Sequence, residues 1–176
     1  MKAIIATAAA IAALTAVAGV AAPASAETTA SLGWTRTDAK DADVNLDGIT
    51  GRATWTAGYF GVEGEVSAGT GSDTTNVGGT NVKVKEEYQA AIYGVAKAPV
   101  GTNFDVFARV GYGTTKVKAS AAGTGLSGSE QSWNYGVGAE YFFDGHNGIR
   151  GDYTRENFRH DAGDADVWSV SYVHKF

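Results

Sequence analysis

From Glu27 onward the chain alternates with a period of two in runs of about ten residues, and no stretch sustains a helical period. Successive side chains of a strand point to opposite sides, so this pattern demands β-sheet with one apolar and one polar face. Ile49, Gly51, Ala53 and Trp55 alternate with Thr50, Arg52, Thr54 and Thr56. Phe60, Val62, Gly64, Val66 and Ala68 alternate with Glu63, Glu65 and Ser67. The same holds for Phe104 to Tyr112 against Asp105, Phe107 and Arg109, and for Trp133 to Tyr141 against Ser132, Asn134 and Glu140. Trp168, Val170, Tyr172, His174 and Phe176 alternate with Ser169, Ser171 and Lys175. Less regular runs near 28–37, 85–97 and 148–155 bring the expected strands to eight.

The connections are of two kinds. Those near 58–59, 98–103 and 144–147 are short, whereas those near 37–47, 70–83, 114–130 and 156–165 are long and rich in Gly, Ser, Thr, Asn and Asp. Strict alternation of short and long turns is expected of a closed, up-and-down antiparallel barrel whose successive turns lie at opposite ends. A two-residue turn at Gly58-Tyr59 would pair Ala57 with Phe60 and set Arg52 opposite Glu65, with Trp55, Ala53 and Gly51 opposite Val62, Gly64 and Val66. A three-residue turn over 144–146 would set Glu140 opposite Arg150. Both hairpins then carry a cross-strand ion pair on the polar face.

In a soluble sandwich the charged face meets water. In a membrane barrel the apolar face meets lipid and the charges point inward. Trp34, Trp55, Tyr112, Trp133, Tyr141, Tyr153 and Trp168 fall near strand ends, where interfacial girdles sit, and charged pairs facing lipid would be costly. Eight strands leave a lumen that side chains fill. Arg52, Glu63, Glu65, Glu87, Arg109, Glu140, Arg150 and Asp152 are therefore expected to form an interior charge network with a structural role.

The N-terminus carries an address. Lys2 precedes the almost wholly apolar run 3–20, Pro23 interrupts it, and Ala24-Ser25-Ala26 has the small-x-small form of a signal-peptidase site. Residues 1–26 are expected to be a cleaved signal peptide and 27–176 the barrel domain. The net charge of −5 argues against nucleic acid as a partner, and the lack of Cys excludes disulfides and thiol chemistry.

The segments GRATWTAGYFGVEGEVSAG (51–69), FARVGYG (107–113), YGVGAEYFF (135–143) and IRGDYTRENF (149–158), with the terminal Phe176, resemble the small outer-membrane β-barrel proteins related to the OmpA transmembrane domain and OmpX. The resemblance implies an integral barrel in the cell outer membrane, expected as a monomer among outer-membrane lipid and lipopolysaccharide. It also implies delivery by periplasmic chaperones and insertion by the barrel-assembly machinery, which reads the last strand. Tyr172, His174 and Phe176 occupy that signal here, with Ser171 in place of the usual Gly and His174 where an aromatic is usual.

Some barrels of this size modify lipid A. The three histidines, His146, His160 and His174, form no pattern with a Ser and an acid at one strand face, so no catalytic residue is expected. Asp43-x-Asn45-x-Asp47-Gly48 matches half of a calcium loop, but its twelfth position is Thr54, and Asp161, Asp164 and Asp166 read as an acidic loop. No Gly-rich segment has the form of a phosphate loop, and no cofactor or metal is expected. The leading expectation is a non-enzymatic role in envelope integrity or loop-mediated contact. The rivals are a narrow small-solute pore, a lipid-modifying enzyme and a soluble exported sandwich.

Overall fold

The computed structural model describes residues 26–39, 44–70, 73–77, 80–121, 124–159 and 163–176; the side chains of 44, 73–77, 80–87, 117–121 and 124–127 are not among those described. Its strands are β1 (Ala26–Ala39), β2 (Val44–Ala57), β3 (Phe60–Gly69), β4 (Asp73–Val77), β5 (Thr80–Pro99), β6 (Phe104–Ala121), β7 (Thr124–Phe142), β8 (Asn147–Phe158) and β9 (Asp164–Lys175). All neighbours are antiparallel, β1 pairs with β9, and the pairing of β3 with β5 closes the sheet. β4 prolongs β3 along the same edge of β5, so nine strands make an eight-staved barrel.

The short turns set the registers. Gly58 opens the β2–β3 turn at φ 63°, the left-handed start that suits the twist of a two-residue hairpin. Ala57 pairs with Phe60 and Arg52 with Glu65, while Trp55, Ala53 and Gly51 pair with Val62, Gly64 and Val66. Gly145 (φ 82°) makes the turn that sets Glu140 opposite Arg150.

The faces are inverted relative to a soluble protein. Leu32, Ile49, Val62, Ile92, Val110, Val137 and Val170 are each more than half exposed, whereas Arg52, Glu63, Arg109, Glu140 and Arg150 are at most 3% exposed. A wall of this kind is unfavourable in water and matched to hydrocarbon. On β7, Tyr141 and Trp133 lie eight residues apart on the outer face, both exposed. That is roughly 27 Å along a strand and about 20 Å along the membrane normal after tilt, close to the height of an outer-membrane apolar band. Tyr112 packs edge-on against Trp133 (5.4 Å between centroids), and Tyr153 packs at a tilt against Trp168 (4.7 Å), toward the long-loop end; Tyr141 packs edge-on against Phe143 (5.6 Å) at the other.

Tyr93, Phe107 and Phe142 turn their rings inward, each opposite a glycine on the next strand. Tyr93 pairs with Gly111, Phe107 with Gly138 and Phe142 with Gly148. A Cβ on Gly138 would sit 2.4 Å from Phe107 Cζ, so the ring occupies the space that the missing side chain leaves.

The long connections are shorter than expected. Much of 80–83, 114–121 and 124–130 is strand, carrying the β5–β6 and β6–β7 hairpins beyond the girdle. Beyond the membrane neither face must be apolar. The Thr, Ser, Gly and Lys of these stretches therefore give no amphipathic signal, although the backbone ladder continues.

Candidate functional site: the charged lumen and the outer rim

The inward faces of β2, β3, β6 and β8 bring three arginines and three carboxylates together at mid-barrel. Arg52 Nε donates to Glu65 Oε2 (2.5 Å), and its Nη2 lies 3.3 Å from Asp152 Oδ2. Arg109 reaches Glu63 (2.7 Å), Glu65 (2.8 Å) and Asp152 (3.0 Å). Arg150 reaches Glu63 (2.6 Å) and Asp152 (3.0 Å), and lies 3.5 Å from Glu140. Hydroxyls complete the shell: Thr54 donates to Glu63 (2.7 Å), and Ser169 and Thr154 accept from Arg52 (3.0 Å) and Arg109 (2.6 Å). The core group is electrically balanced, and its long arginines span the lumen, since each binds acids from other staves.

A second cluster lies at the short-turn mouth. Lys97 meets Glu27 (2.5 Å), Glu140 (2.8 Å) and Asp105 (3.2 Å), and Lys175 meets Glu27 (2.8 Å). Lumenal cations also lie over the inward rings: Arg109 over Tyr93 (4.4 Å), Arg150 over Phe107 (4.2 Å) and Lys175 over Phe142 (4.0 Å). The sequence reading sets Asp105, Phe107 and Lys175 on polar strand faces without giving them a role, and it does not single out Glu27, Lys97, Tyr93 or Phe142. Strand parity is the signal that could have found them, because Asp105, Phe107 and Arg109 alternate on one strand, as do Lys97, Val95 and Tyr93 on another.

The structure thus brings Arg52, Glu63, Glu65, Arg109, Glu140, Arg150 and Asp152 together in the lumen. The side chain of Glu87 lies outside those described; its backbone marks a register shift in β5, a β-bulge between Glu86 and Tyr88. Toward the long-loop end, Gln89 donates to Glu156 (2.5 Å), while Thr115 Oγ1, Ser132 Oγ and Asn134 Oδ1 are buried without a protein partner. That half of the lumen is polar and suits bound water.

Tyr172 faces outward, with its hydroxyl on Asn147 Oδ1; His174 contacts the same oxygen (2.9 Å) and meets Phe176 edge-on (4.9 Å). His146 lies exposed in the β7–β8 turn, while His160 lies outside the described residues. In that turn the carboxylate of Asp144 accepts from the backbone of His146 and Asn147 and from the Asn147 amide. These donors hold its pKa down at about 2. Asp43 and Asp161 lie outside the described residues. Asn45 and Asp47 belong to a regular strand opposite Asp38 and Arg36, which is not the tight loop that calcium coordination requires. Among the described residues no three His, Cys, Asp or Glu are grouped to hold a metal ion.

Outside the barrel, a charged rim stands above the outer girdle. Arg155 bridges Asp164 (2.6 Å) and Asp166 (2.8 Å), and Tyr153 donates to Asp166 (2.8 Å). On the β5–β7 side, Lys116 lies 5.8 Å from the Tyr88 ring centroid and Arg159 reaches the Tyr112 hydroxyl (3.5 Å).

A closed barrel with apolar exterior, aromatic girdles and charged lumen defines an outer-membrane β-barrel. The chain belongs to the outer membrane protein beta-barrel domain family, whose model matches residues 9–176. It is similar in fold to Ail, the attachment invasion locus protein of Yersinia pestis, solved with the heparin analogue sucrose octasulfate (19% identity, 86% of this chain, 99% of that one, TM-score 0.63). It is likewise similar to OprG of Pseudomonas aeruginosa (12% identity, 86% and 96%, TM-score 0.64) and to the N-terminal barrel of OprF of the same organism (10% identity, 86% and 98%, TM-score 0.59). No curated protein matches it in sequence.

Proposed function

We propose that the chain is a non-conducting, non-enzymatic outer-membrane barrel that supports the envelope and offers its outer rim and long loops for contact. The observation that carries this reading is the lumen itself. Two stacked ion-pair layers, one around Arg52, Arg109 and Arg150 and one around Lys97 and Lys175, lie across any axial path. An ion would have to break both, and each break leaves a charge desolvated in a narrow space. Purified full-length chain in planar bilayers is expected to give no stepwise conductance; reproducible steps would replace this reading with a narrow solute pore. That rival draws support from the unpartnered atoms of Thr115, Ser132 and Asn134, which suit water in the long-loop half. Lipid A from cells with and without the protein is expected to have the same mass, and a difference would make the chain an enzyme.

The same proposal covers biogenesis. Cleavage after Ala26 leaves Glu27 at the mature N-terminus, where its carboxylate serves Lys97 and Lys175. Tyr172, His174 and Phe176 present the terminal strand to the assembly machinery, and the folded barrel works as a monomer.

A further inference from the structure

Glu27 ties three staves together at the short-turn mouth. It stands on β1 opposite Thr56 of β2, and its carboxylate takes Lys97 of β5 on one oxygen (2.5 Å) and Lys175 of β9 on the other (2.8 Å). β1 and β9 pair with each other, so this side chain links the first strand of the barrel to the last. The charges around it do not balance. At mid-barrel three arginines meet three carboxylates, Glu63, Glu65 and Asp152. At the mouth, among the described residues, Lys97 and Lys175 serve three acids, Glu27, Asp105 and Glu140. Lys97 is shared by all three, and Lys175 reaches Asp105 only at 3.9 Å. Arg150, 3.5 Å from Glu140, already lies against Glu63 and Asp152 of the balanced group. Asp105 and Glu140 are at most 9% exposed, so an acid in excess is costly there.

We propose that removal of the leader supplies the missing cation: the α-ammonium that cleavage creates on Glu27 completes the mouth cluster and strengthens the β1–β9 seam. The inference rests on cleavage after Ala26, as in the proposed function, and is independent of whether the lumen conducts. Water hydrolyses the Ala26–Glu27 peptide bond. Its oxygen goes to the Ala26 carbonyl carbon, which leaves with the leader as a carboxylate, and its two protons end on the Glu27 nitrogen. A neutral amide N–H thereby becomes a full positive charge on the residue whose carboxylate both lysines share. Only the bonds of one residue separate the two groups, so the ammonium acts on the cluster of Glu27, Asp105, Glu140, Lys97 and Lys175 as a whole. In the uncleaved chain the same nitrogen carries no charge and the acid excess remains. Position matters as much as sign. An ammonium farther along the chain would change the net charge equally but stand outside the cluster.

The test compares two barrels refolded after removal of an N-terminal tag. One starts at Glu27; the other starts at Ser25 and carries its ammonium two residues farther along the chain. NMR titration of the isotope-labelled, dimethylated α-amine in micelles reads its pKa. The Glu27 chain is expected to titrate about one unit above the ordinary range of about 7.7–8.0, and the Ser25 chain within it. Asp105→Asn in the Glu27 chain removes the excess acid and should bring the value back toward that range. Unfolding in urea from lipid vesicles should show a higher midpoint for the Glu27 chain at about pH 7. A folded pKa above the unfolded one places this advantage below about pH 8, and it fades as pH rises through the folded value. Heat-modifiable gel migration should be the same for both chains, which separates a loosened seam from a failed fold. An ordinary pKa in the Glu27 chain, an unaltered value in Asp105→Asn, or equal urea midpoints at about pH 7 would overturn the proposal. Cleavage is read separately, from the intact mass of the chain extracted from the outer membrane. A mass that starts at Glu27 upholds the reading on which the inference rests, and any other start overturns that reading whatever the titration gives.

Discussion

The lumen and the outer rim hold their cations under different rules. In the lumen, Arg52, Arg109, Arg150, Lys97 and Lys175 each lie against an acid from another stave, and hydroxyls take up further donors. On the rim, the partly exposed Arg155 lies against Asp164 (2.6 Å) and Asp166 (2.8 Å) of the neighbouring strand. The difference is one of solvent. A lumenal charge has almost no water to fall back on, so an unpaired one costs several kcal/mol. A rim charge keeps its hydration, so an ion pair there is worth only about 0–1 kcal/mol. Charges in the lumen are therefore held strictly by the fold, while charges on the rim are held only weakly by it.

Five changes break or sharpen this contrast. The largest effect is expected from Arg109→Leu, which leaves Glu63, Glu65 and Asp152 with only Arg52 and Arg150 to balance them. Unfolding in urea from lipid vesicles should show a loss of about 3–5 kcal/mol, and a change below about 1 kcal/mol would mean that water already screens the network. Replacing Arg52 and Glu65 together by Met and Leu should cost clearly less than Arg52→Met alone, and a double-mutant cycle measures the difference. Next is Gly138→Ala, whose Cβ would press on Phe107 and on the Gly151 carbonyl; a loss of about 1–3 kcal/mol is expected by the same assay. On the rim, Arg155→Gln should lower the unfolding midpoint only slightly in the same assay, because its ion pairs with Asp164 and Asp166 are open to water. The smallest effect belongs to Asp144. Its carboxyl pKa is depressed to about 2 from an ordinary 3.8, so its contribution is complete above about pH 4–5 and fades as pH falls toward 2. Asp144→Ala should accordingly give a small deficit at neutral pH that disappears below about pH 2, visible in a pH series of thermal melts.

Much of the architecture was legible because one physical signal repeats. Period-two alternation named the staves, and the Gly58 and Asp144 turns set registers as expected, down to Arg52 opposite Glu65 and Glu140 opposite Arg150. The lumenal residues were readable for the same reason: charge on the polar face of a lipid-facing strand has nowhere to go but inward. The strand ends were not, since outside the membrane Thr114 to Ala121 and Thr124 to Glu130 need no apolar face to remain paired. Nor was the mouth cluster around Lys97, because its partners Glu27, Asp105 and Glu140 come from three other staves.

By itself, then, the sequence determined that the chain is an all-β barrel with lipid outside and charge within. Binary patterning is a local property, and every segment repeats it. Tertiary structure alone decided which cation meets which acid across the lumen, that Tyr93, Phe107 and Phe142 each lie opposite a glycine, and that the ladder of β5 shifts register between Glu86 and Tyr88. Those outcomes depend on the stagger between staves and on barrel closure, which join residues that no periodicity connects.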